Sequence, residues 1–550
     1  MDNYQIADAF TLLSKLMDIH GENAFKAKSY ASAAYTIERL PLQLSEMNPD
    51  DIARVKGIGE SSAAKIIELL QNGTLKVLEE IVSKTPPGIL EMMQVKGLGP
   101  KKIATIWKEM EIESIGELLY ACEENRLLLY KGFGEKTQQN IQESITFILN
   151  NKDNHLYAEV ESYEKQITEQ LQALLPNESF LIAGAFRRQL EVIEKLEWVT
   201  TTNIQTLATL LLANGFTVVS QTDDALSAKG DENILVCFHH SEKEALGTAY
   251  FKASCSEAFL TAWEDKHGKL PEAAEESIVF KQAGIAPIPA YARETYKEKA
   301  SYENIITVES IRGIIHSHSN WSDGSDTIEA MAKGAMERGL EYLVISDHSK
   351  SAFYANGLAS DRIRAQHQYI DELNAKLHPF RIFKSIEADI LNDGALDYDD
   401  EILASFDLVI ASVHSNLKMQ AEKAMMRLMR AIENPFTTIL GHPTGRLLLS
   451  RNGYPIDHEK IIDACVANQV AIEINAHPRR LDLDWRWISY ALERGAMLSI
   501  NPDAHAIEGY EDIRYGVLVA QKGGLVADKN LSSLSLSAFE SYLQKRKQVD

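Results

Sequence analysis

Apolar residues recur at three- and four-residue spacing through the first 150 positions, as in IADAFTLLSKLMDI from Ile6 and AAKIIELL from Ala63, with few β-branched runs. That period predicts amphipathic helices and an almost wholly helical N-terminal region. Residues 151–300 mix helical stretches with strand-like runs such as ESFLIAGAF, FTVVS and NILVCF. The segment AGIAPIPAYARETYKEKASYENI, proline-bearing and then charged, predicts a linker. From Ile306 onward short apolar runs (RGIIHSH, LEYLVISDHS, FRIFKSIEADI, DLVIASVHS, TTILGHP, VAIEIN, AMLSINPDAH) alternate with helical ones such as EAMAKGAMERG. This alternation predicts repeated βα units around a parallel sheet or barrel.

A short unit recurs three times within the helical region: VKGIGESSAAKI, VKGLGPKKIATI and YKGFGEKTQQNI, with glycine pairs Gly57/Gly59, Gly97/Gly99 and Gly132/Gly134. A helix, a tight Gly-X-Gly turn and a second helix aim backbone N–H groups and a helix N-terminus at one point, which is an anion site needing few basic side chains. A plain helix-helix turn with a glycine cap is the alternative for any single copy. Lys56, Lys96, Lys101, Lys102, Lys131 and Lys136 add positive charge beside the turns.

Composition sharpens this picture. The chain has 56 basic and 79 acidic side chains, a net charge of −23, which argues against a coating of nucleic-acid-binding basic patches. At 550 residues it has room for three or four domains. Residues 151–300 carry 14 basic and 23 acidic groups, against 16 and 21 in residues 1–150. Four scattered cysteines, Cys122, Cys237, Cys255 and Cys465, fit reduced thiols. The start MDNYQIADAF does not read as a secretory leader, and no run approaches the roughly 18 apolar residues that span a bilayer. A cytoplasmic protein with no membrane partner is the expectation.

Ten of the 15 histidines lie beyond residue 300. His316 and His318 sit at i and i+2 at the end of a predicted strand, so both imidazoles face one side and can bind one metal. The series continues at strand ends with Asp347-His348, Glu387, His414, His442, and Asp503 with His505. A barrel gathers such ends at one mouth. The mix of imidazole and carboxylate suits Mn, Zn or Fe better than Mg or Ca. His367, His378, His458 and His477 fall outside the series and are expected to be structural or exposed. Lys350, Arg446 and Arg480 follow ligand-bearing motifs and are candidates to neutralise a substrate phosphate, with surface or helix-end duty as the alternative.

The recurring glycine units resemble the helix-hairpin-helix motif, which binds DNA phosphates without reading sequence. NAFKAKSYASAAYTIERL followed by GIGESSAAKIIELLQNGTLKVLEEI resembles the lyase-type and fingers domains of X-family DNA polymerases. The resemblance implies that Lys65, six residues after the second glycine, forms a Schiff base with an abasic deoxyribose; an exposed helix lysine is the alternative. LIAGAFRRQLEVIEKLEWVTTT resembles the nucleotidyltransferase palm of the same family, which pairs Gly-Ser and two arginines with an Asp-X-Asp. Here Gly184, Arg187 and Arg188 are present, Ala185 replaces the serine, and Lys195 and Glu197 stand at the Asp-X-Asp positions. Counting back from EALGTAYFKASC puts Leu235 where the third aspartate belongs; Asp223, Asp224 and Asp231 are near enough in sequence to supply one ligand under another alignment. GIAPIPAYARE resembles the end of a thumb. The C-terminal pattern resembles the PHP (polymerase and histidinol phosphatase) domain.

The PHP resemblance implies up to three divalent metals: His316, His318, Glu387 and Asp503 on one, Glu387 bridging to a second with His414 and His442, and Asp323, His348 and His505 on the third. Glu387, Asp503, His316 and His318 are the expected catalytic set, working through a metal-activated water. The order of domains resembles bacterial X-family DNA polymerases of the PolX type. It predicts a multidomain chain: an all-α lyase-type helix-hairpin-helix domain (1–85), a second, fingers-like one (86–150), an α/β nucleotidyltransferase-like palm and thumb with degraded metal sites (151–295), and a (β/α) barrel of PHP type (306–550). The resemblance further implies a monomeric DNA repair protein on gapped or nicked DNA, acting as a 3′-5′ exonuclease and abasic-site endonuclease. The hairpin contacts would come from Gly57, Gly59, Gly97, Gly99, Gly132, Gly134, Lys101 and Lys102. Two alternatives stand beside this reading: an active gap-filling polymerase using Mg, and a small-molecule phosphomonoesterase of histidinol-phosphatase type.

Overall fold

The computed structural model describes residues 1–40, 42–123, 125–150, 152–230, 232–296 and 302–547. They form two compact units, 1–152 and 153–550.

The first unit is helical, as the apolar period requires, around a core of Ile6, Phe10, Leu13, Ile66, Ile103 and Ile141. The three glycine turns share one geometry. The first glycine of each sits at positive φ, 97°, 93° and 96° at Gly57, Gly97 and Gly132, a conformation closed to most residues with a Cβ. The apolar residue between the glycines, Ile58, Leu98 or Phe133, is buried, and its amide donates back to Val55, Val95 or Tyr130. Gly59 and Gly99 are N-caps of helices Glu60–Asn72 and Pro100–Lys108 and offer no capping side chain, so backbone donors face outward at each start.

In the second unit, residues 180–240 build a five-stranded sheet from β1 (Phe180–Ile182), β2 (Lys195–Thr200), β3 (Thr217–Gln221), β4 (Ala225–Lys229) and β5 (Leu235–His240), in the order β1-β2-β5-β4-β3. Trp198 and Phe238 stack at 5.1 Å in its core. A neighbouring aromatic cluster of Phe251, Phe259, Trp263 and Phe280 follows. The expected linker begins differently: Arg293 is buried and pairs with Glu276 at 2.7 Å, and Glu294 pairs with Arg188 at 2.9 Å. Its proline-rich half is thus packed against the sheet domain, while residues 297–301 lie outside the described residues.

Glu276 also meets Arg187 at 2.8 Å. Burial opposes its ionisation, but the Arg187 and Arg293 guanidinium groups hold its carboxyl down at about 2. A carboxyl depressed on folding stabilises the protein above its unfolded pKa and loses that contribution as pH falls through the folded value. We therefore expect Glu276→Gln to lower thermal stability by about 2 kcal/mol at pH 6 and by progressively less between pH 4.5 and 2, read by parallel melts across that range.

Seven parallel strands follow: β6 (Gly313–Ser317), β7 (Tyr342–Ile345), β8 (Arg381–Asp389), β9 (Leu408–Ser412), β10 (Thr437–Leu440), β11 (Ala471–Asn475) and β12 (Leu498–Asn501), hydrogen-bonded in sequence order. A bridge between Ser317 and Ala504 joins the first strand to the chain just past the last and nearly closes the barrel. Strands buried on both faces explain the nearly unbroken apolar runs. Ile315, Val344, Phe383, Ile410 and Ile439 fill the interior. At the N-terminal ends of the strands, Phe539 of helix Leu536–Arg546 stacks on Tyr342 at 4.7 Å and plugs the barrel. The open mouth is therefore at the C-terminal ends.

Candidate metal centre

Every residue of the expected ligand series lies at or just beyond the C-terminal end of a barrel strand. Glu387, fully buried, is the hub. His442 Nε2 lies 3.0 Å from its Oε1, His414 Nε2 3.1 Å and His316 Nε2 3.3 Å, while His348 Nδ1 lies 3.0 Å from Oε2. Asp503 Oδ1 is 3.1 Å from His318 Nε2 and 3.5 Å from His316 Nε2. Asp323 faces His505 at 3.5 Å and His348 at 3.6 Å.

Strand alternation alone does not bring His316 and His318 together. The β6–β7 register shifts between Ile314 and Ser317, and His316 takes φ 62°, so the strand end is twisted toward the mouth. Among the described residues, three sets of candidate ligand atoms lie mutually within 4.8 Å: His318, Asp323, His348 and His505; His316, His318 and Asp503; and His348, Glu387 and His414. His318 and His348 each belong to two sets, whereas the resemblance placed each in one. The reason is packing, since their rings are only 4.4 Å apart between Glu387 and Asp323.

Burial opposes charge throughout the cluster, and the mutual attraction of its members overrides that for the carboxylates. Imidazoles of His414, His316 and His348 hold Glu387 well below the usual range, and those of His316 and His318 do the same for Asp503. Against burial, Glu387 and Asp389 raise His414 to about 10. Burial, with neighbouring His505 and His348, lowers His318 to about 3. Among the described residues, His316 Nε2 and Glu387 Oε2 are buried, face the cluster and make no hydrogen bond of good geometry. Buried donor atoms of this kind, imidazole and carboxylate together, fit divalent cations.

Two residues outside the expected set hold the expected ligands in place. Glu473, wholly buried inside β11, takes His316 Nδ1 at 2.5 Å, the His442 amide at 2.6 Å and Asn501 Nδ2 at 2.9 Å. Asp389 takes His414 Nδ1 at 2.5 Å. Such partners set the tautomer and direction of a metal-binding imidazole. The available signal was a carboxylate inside an apolar strand run, AIEIN, which is costly unless paired. Asp347 holds the loop, accepting from Ser319, Ser322 and Gln366.

The three candidate phosphate residues separate. Arg480 Nε lies 3.5 Å from Asp503 Oδ2, beside the cluster. Arg446 instead pairs with Asp484 at 2.5 Å and donates to the Arg480 and Leu481 carbonyls, so it is a loop tie. Lys350 is exposed on the rim, its Nζ 5.1 Å above the Tyr398 ring. His367 packs on Phe406, His458 stacks on Trp487 at 4.6 Å, and His477 takes the Arg479 amide.

In the sheet domain, Lys195 and Leu235 are direct partners across the parallel β2–β5 pair. Lys195 Nζ sits 2.8 Å from Glu197, which also meets His239 at 3.3 Å. A Cβ on Gly184 would come within 2.3 Å of Glu197, so the glycine lets this side chain lie against the backbone. Asp223 and Asp224 occupy the turn beyond Ala225, at the opposite end of the strand ladder from Lys195. Asp231 lies outside the described residues, and among the described residues no set of three metal-binding side chains gathers in this domain.

In the first unit Lys102 Nζ donates to the Gly97 carbonyl at 3.1 Å and lies 5.9 Å from the Phe133 ring, linking two hairpins, while Lys101 is exposed. Lys65 is ion-paired to Glu68 at 2.5 Å. The four cysteines are buried and unbridged. No helix among the described residues is long and apolar enough to cross a membrane.

A parallel barrel with imidazoles and carboxylates at its mouth, in a chain that begins with repeated hairpins, defines the class: a helix-hairpin-helix protein with a PHP domain. Residues 1–75 match the helix-hairpin-helix domain family, residues 89–146 the SAM-like helix-hairpin-helix tandem, and residues 315–477 the PHP domain. The DNA polymerase/3′-5′ exonuclease PolX of Bacillus subtilis (strain 168) is 32% identical, over 96% of this chain and 97% of its own length. The chain belongs to the PolX family. Over 40% of the chain it is also 26% identical to 89% of a probable phosphatase of Thermoanaerobacter sp. (strain X514).

Proposed function

We propose that this chain is a DNA repair protein, a metal-dependent 3′-5′ exonuclease working through its PHP domain, with cleavage at abasic sites as a second reaction of the same centre. The convergence of the six expected histidines on the three expected carboxylates, Glu387, Asp503 and Asp323, carries the reading. His316, His318, Glu387 and Asp503 would hold one cation, His414 and His442 with Glu387 a second, and Asp323, His348 and His505 a third. When bound, such cations polarise a phosphodiester and lower the pKa of a water. Mn, Zn and Fe fit the donor set. The protein's own role is to orient His316 and His414 through Glu473 and Asp389, and to present Arg480 beside Asp503 for the phosphate charge.

The palm at 151–295 is read as inactive in nucleotide addition. In support, an ammonium stands at one expected ligand position and an apolar side chain at another, and like charge repels the cation. Arg187 and Arg188 are engaged by Glu276 and Glu294. Residues 1–85 and 86–150 are read as DNA grips through Gly57, Gly59, Gly97, Gly99, Gly132, Gly134, Lys101 and Lys102. Lys65 is a candidate lyase nucleophile. We read the protein as a cytoplasmic monomer acting at gaps and nicks.

One assay tests the core of this. Gapped DNA with Mn should lose 3′ nucleotides whether or not dNTPs are present, with no extension. Extension that survives His316→Ala would restore the polymerase reading, and then Mg would be its cofactor. DNA left intact with Mn, Zn and Fe alike would sink the nuclease. The similarity of the PHP region to probable phosphatases keeps a phosphomonoesterase as the second reading; turnover of a phosphomonoester matching that of DNA would favour it.

A further inference from the structure

The acidic middle of the chain meets the barrel through matched charges. Glu159 lies 3.5 Å from Arg479, Glu191 2.9 Å from Arg486, Glu294 3.3 Å from Lys522, and Glu161 pairs with Arg514. Two of these carboxylates grip one segment, residues 476–486, at its two ends. Glu191 is nearly buried and takes Trp485 Nε1 at 3.0 Å as well as Arg486.

From Glu191 a continuous set of contacts runs to the metal centre. Arg486 reaches Asp484 at 2.8 Å, Asp484 holds Arg446 at 2.5 Å, and Arg446 Nε donates to the Arg480 carbonyl at 2.9 Å. Arg480 then reaches Asp503. The same segment returns to the barrel interior, since the Leu483 amide donates to the Glu473 carbonyl at 2.9 Å and Asp482 accepts from the Thr444 and Gly445 amides. The place of Arg480 on the rim is therefore set by a loop whose outer end is held from the palm.

We propose that Glu191, assisted by Glu159, is a positioning residue of the PHP site: the palm braces residues 476–486 and so holds Arg480 where the substrate phosphate binds. This rests on the nuclease reading above for the identity of the substrate. It gives the degraded palm a task in hydrolysis that needs none of its lost carboxylates.

The test uses the full chain. With Mn and gapped DNA, Glu191→Gln should raise KM about tenfold with kcat within about twofold, because one charged contact to the phosphate is weakened. Glu191→Asp should recover some of the loss. In an Arg480→Gln background the Glu191→Gln substitution should add nothing, the mark of two residues acting through one contact. Glu161→Gln, which breaks a palm contact away from the loop, should leave KM unchanged. Amide hydrogen exchange of the metal-free protein reads the brace independently: Glu191→Gln should speed exchange at Arg480, Leu481 and Leu483 but not in β6–β9. Unchanged exchange at those amides, or additive KM effects, would overturn the proposal. Absence of DNA cleavage by the unaltered chain would instead overturn the nuclease reading, and exchange alone would then decide whether Glu191 holds the loop.

Discussion

Asp503→Ala should abolish Mn-supported release of 3′ nucleotides, lowering kcat/KM by about 10³-fold or more, with His316→Ala as its companion. Asp503 is where three functions meet. Its Oδ1 faces the His318 and His316 imidazoles, and its Oδ2 takes Asn475 Nδ2 at 3.1 Å and lies near Arg480. Removing the carboxylate takes an anionic group from the centre, leaves the His316 and His318 imidazoles to Glu387, and deprives Arg480 of its nearby carboxylate. Asp503 is itself buried among these partners, so a thermal melt run beside the assay should show the variant folded at the assay temperature. Metal content after dialysis, measured by mass spectrometry, should fall by about one ion per chain. Activity within tenfold of the parent would remove Asp503 from the site.

Glu473→Gln should be nearly as damaging although Glu473 is not an expected ligand. Four donors converge on its two oxygens: His316 Nδ1, the His442 amide, Asn501 Nδ2 and, at 3.4 Å, Asn475 Nδ2. A glutamine must turn its own NH2 toward one of them, leaving buried donors opposed. Metal affinity should drop about 10–100-fold, the usual effect of losing a partner that orients a ligating histidine. Titration of the apo-protein with Mn measures this directly. Restored activity at high Mn would show that the loss lies in binding; a persistent deficit would place it in the geometry of His316.

The glycine hairpins were legible because each turn must be made by residues adjacent in sequence: two glycines and the apolar residue between them carry the conformation. The strand-end histidines and carboxylates were legible for a related reason. Each lies at or just past the end of a short apolar strand, and a parallel barrel brings all such ends to one side, whereas Asp323, six residues past Ser317, came from the resemblance alone. In the sheet domain Lys195 and Leu235, each counted separately to an expected carboxylate position, stand side by side across the parallel β2–β5 pair. By contrast, Arg446 and Arg480 look alike in sequence, each following a His-Pro motif, yet one ties a loop and the other faces Asp503. The proline-rich segment read as a linker packs instead, because Arg293 pairs with Glu276 and Glu294 with Arg188, the latter 106 residues back in the chain.

Sequence alone therefore determined the alternation of elements, the hairpin repeats and the imidazole and carboxylate types gathered at the barrel mouth. All of these depend on local period, on residue type, or on the rule that strand ends of a barrel coincide. Tertiary structure decided which carboxylates orient the histidines, which arginine reaches the centre, and where the acidity of the middle segment is used. Those are pairings between residues as far apart as Glu191 and Arg486, or His316 and Glu473. A buried charge is tolerated only beside its partner, and no period in the sequence records who that partner is.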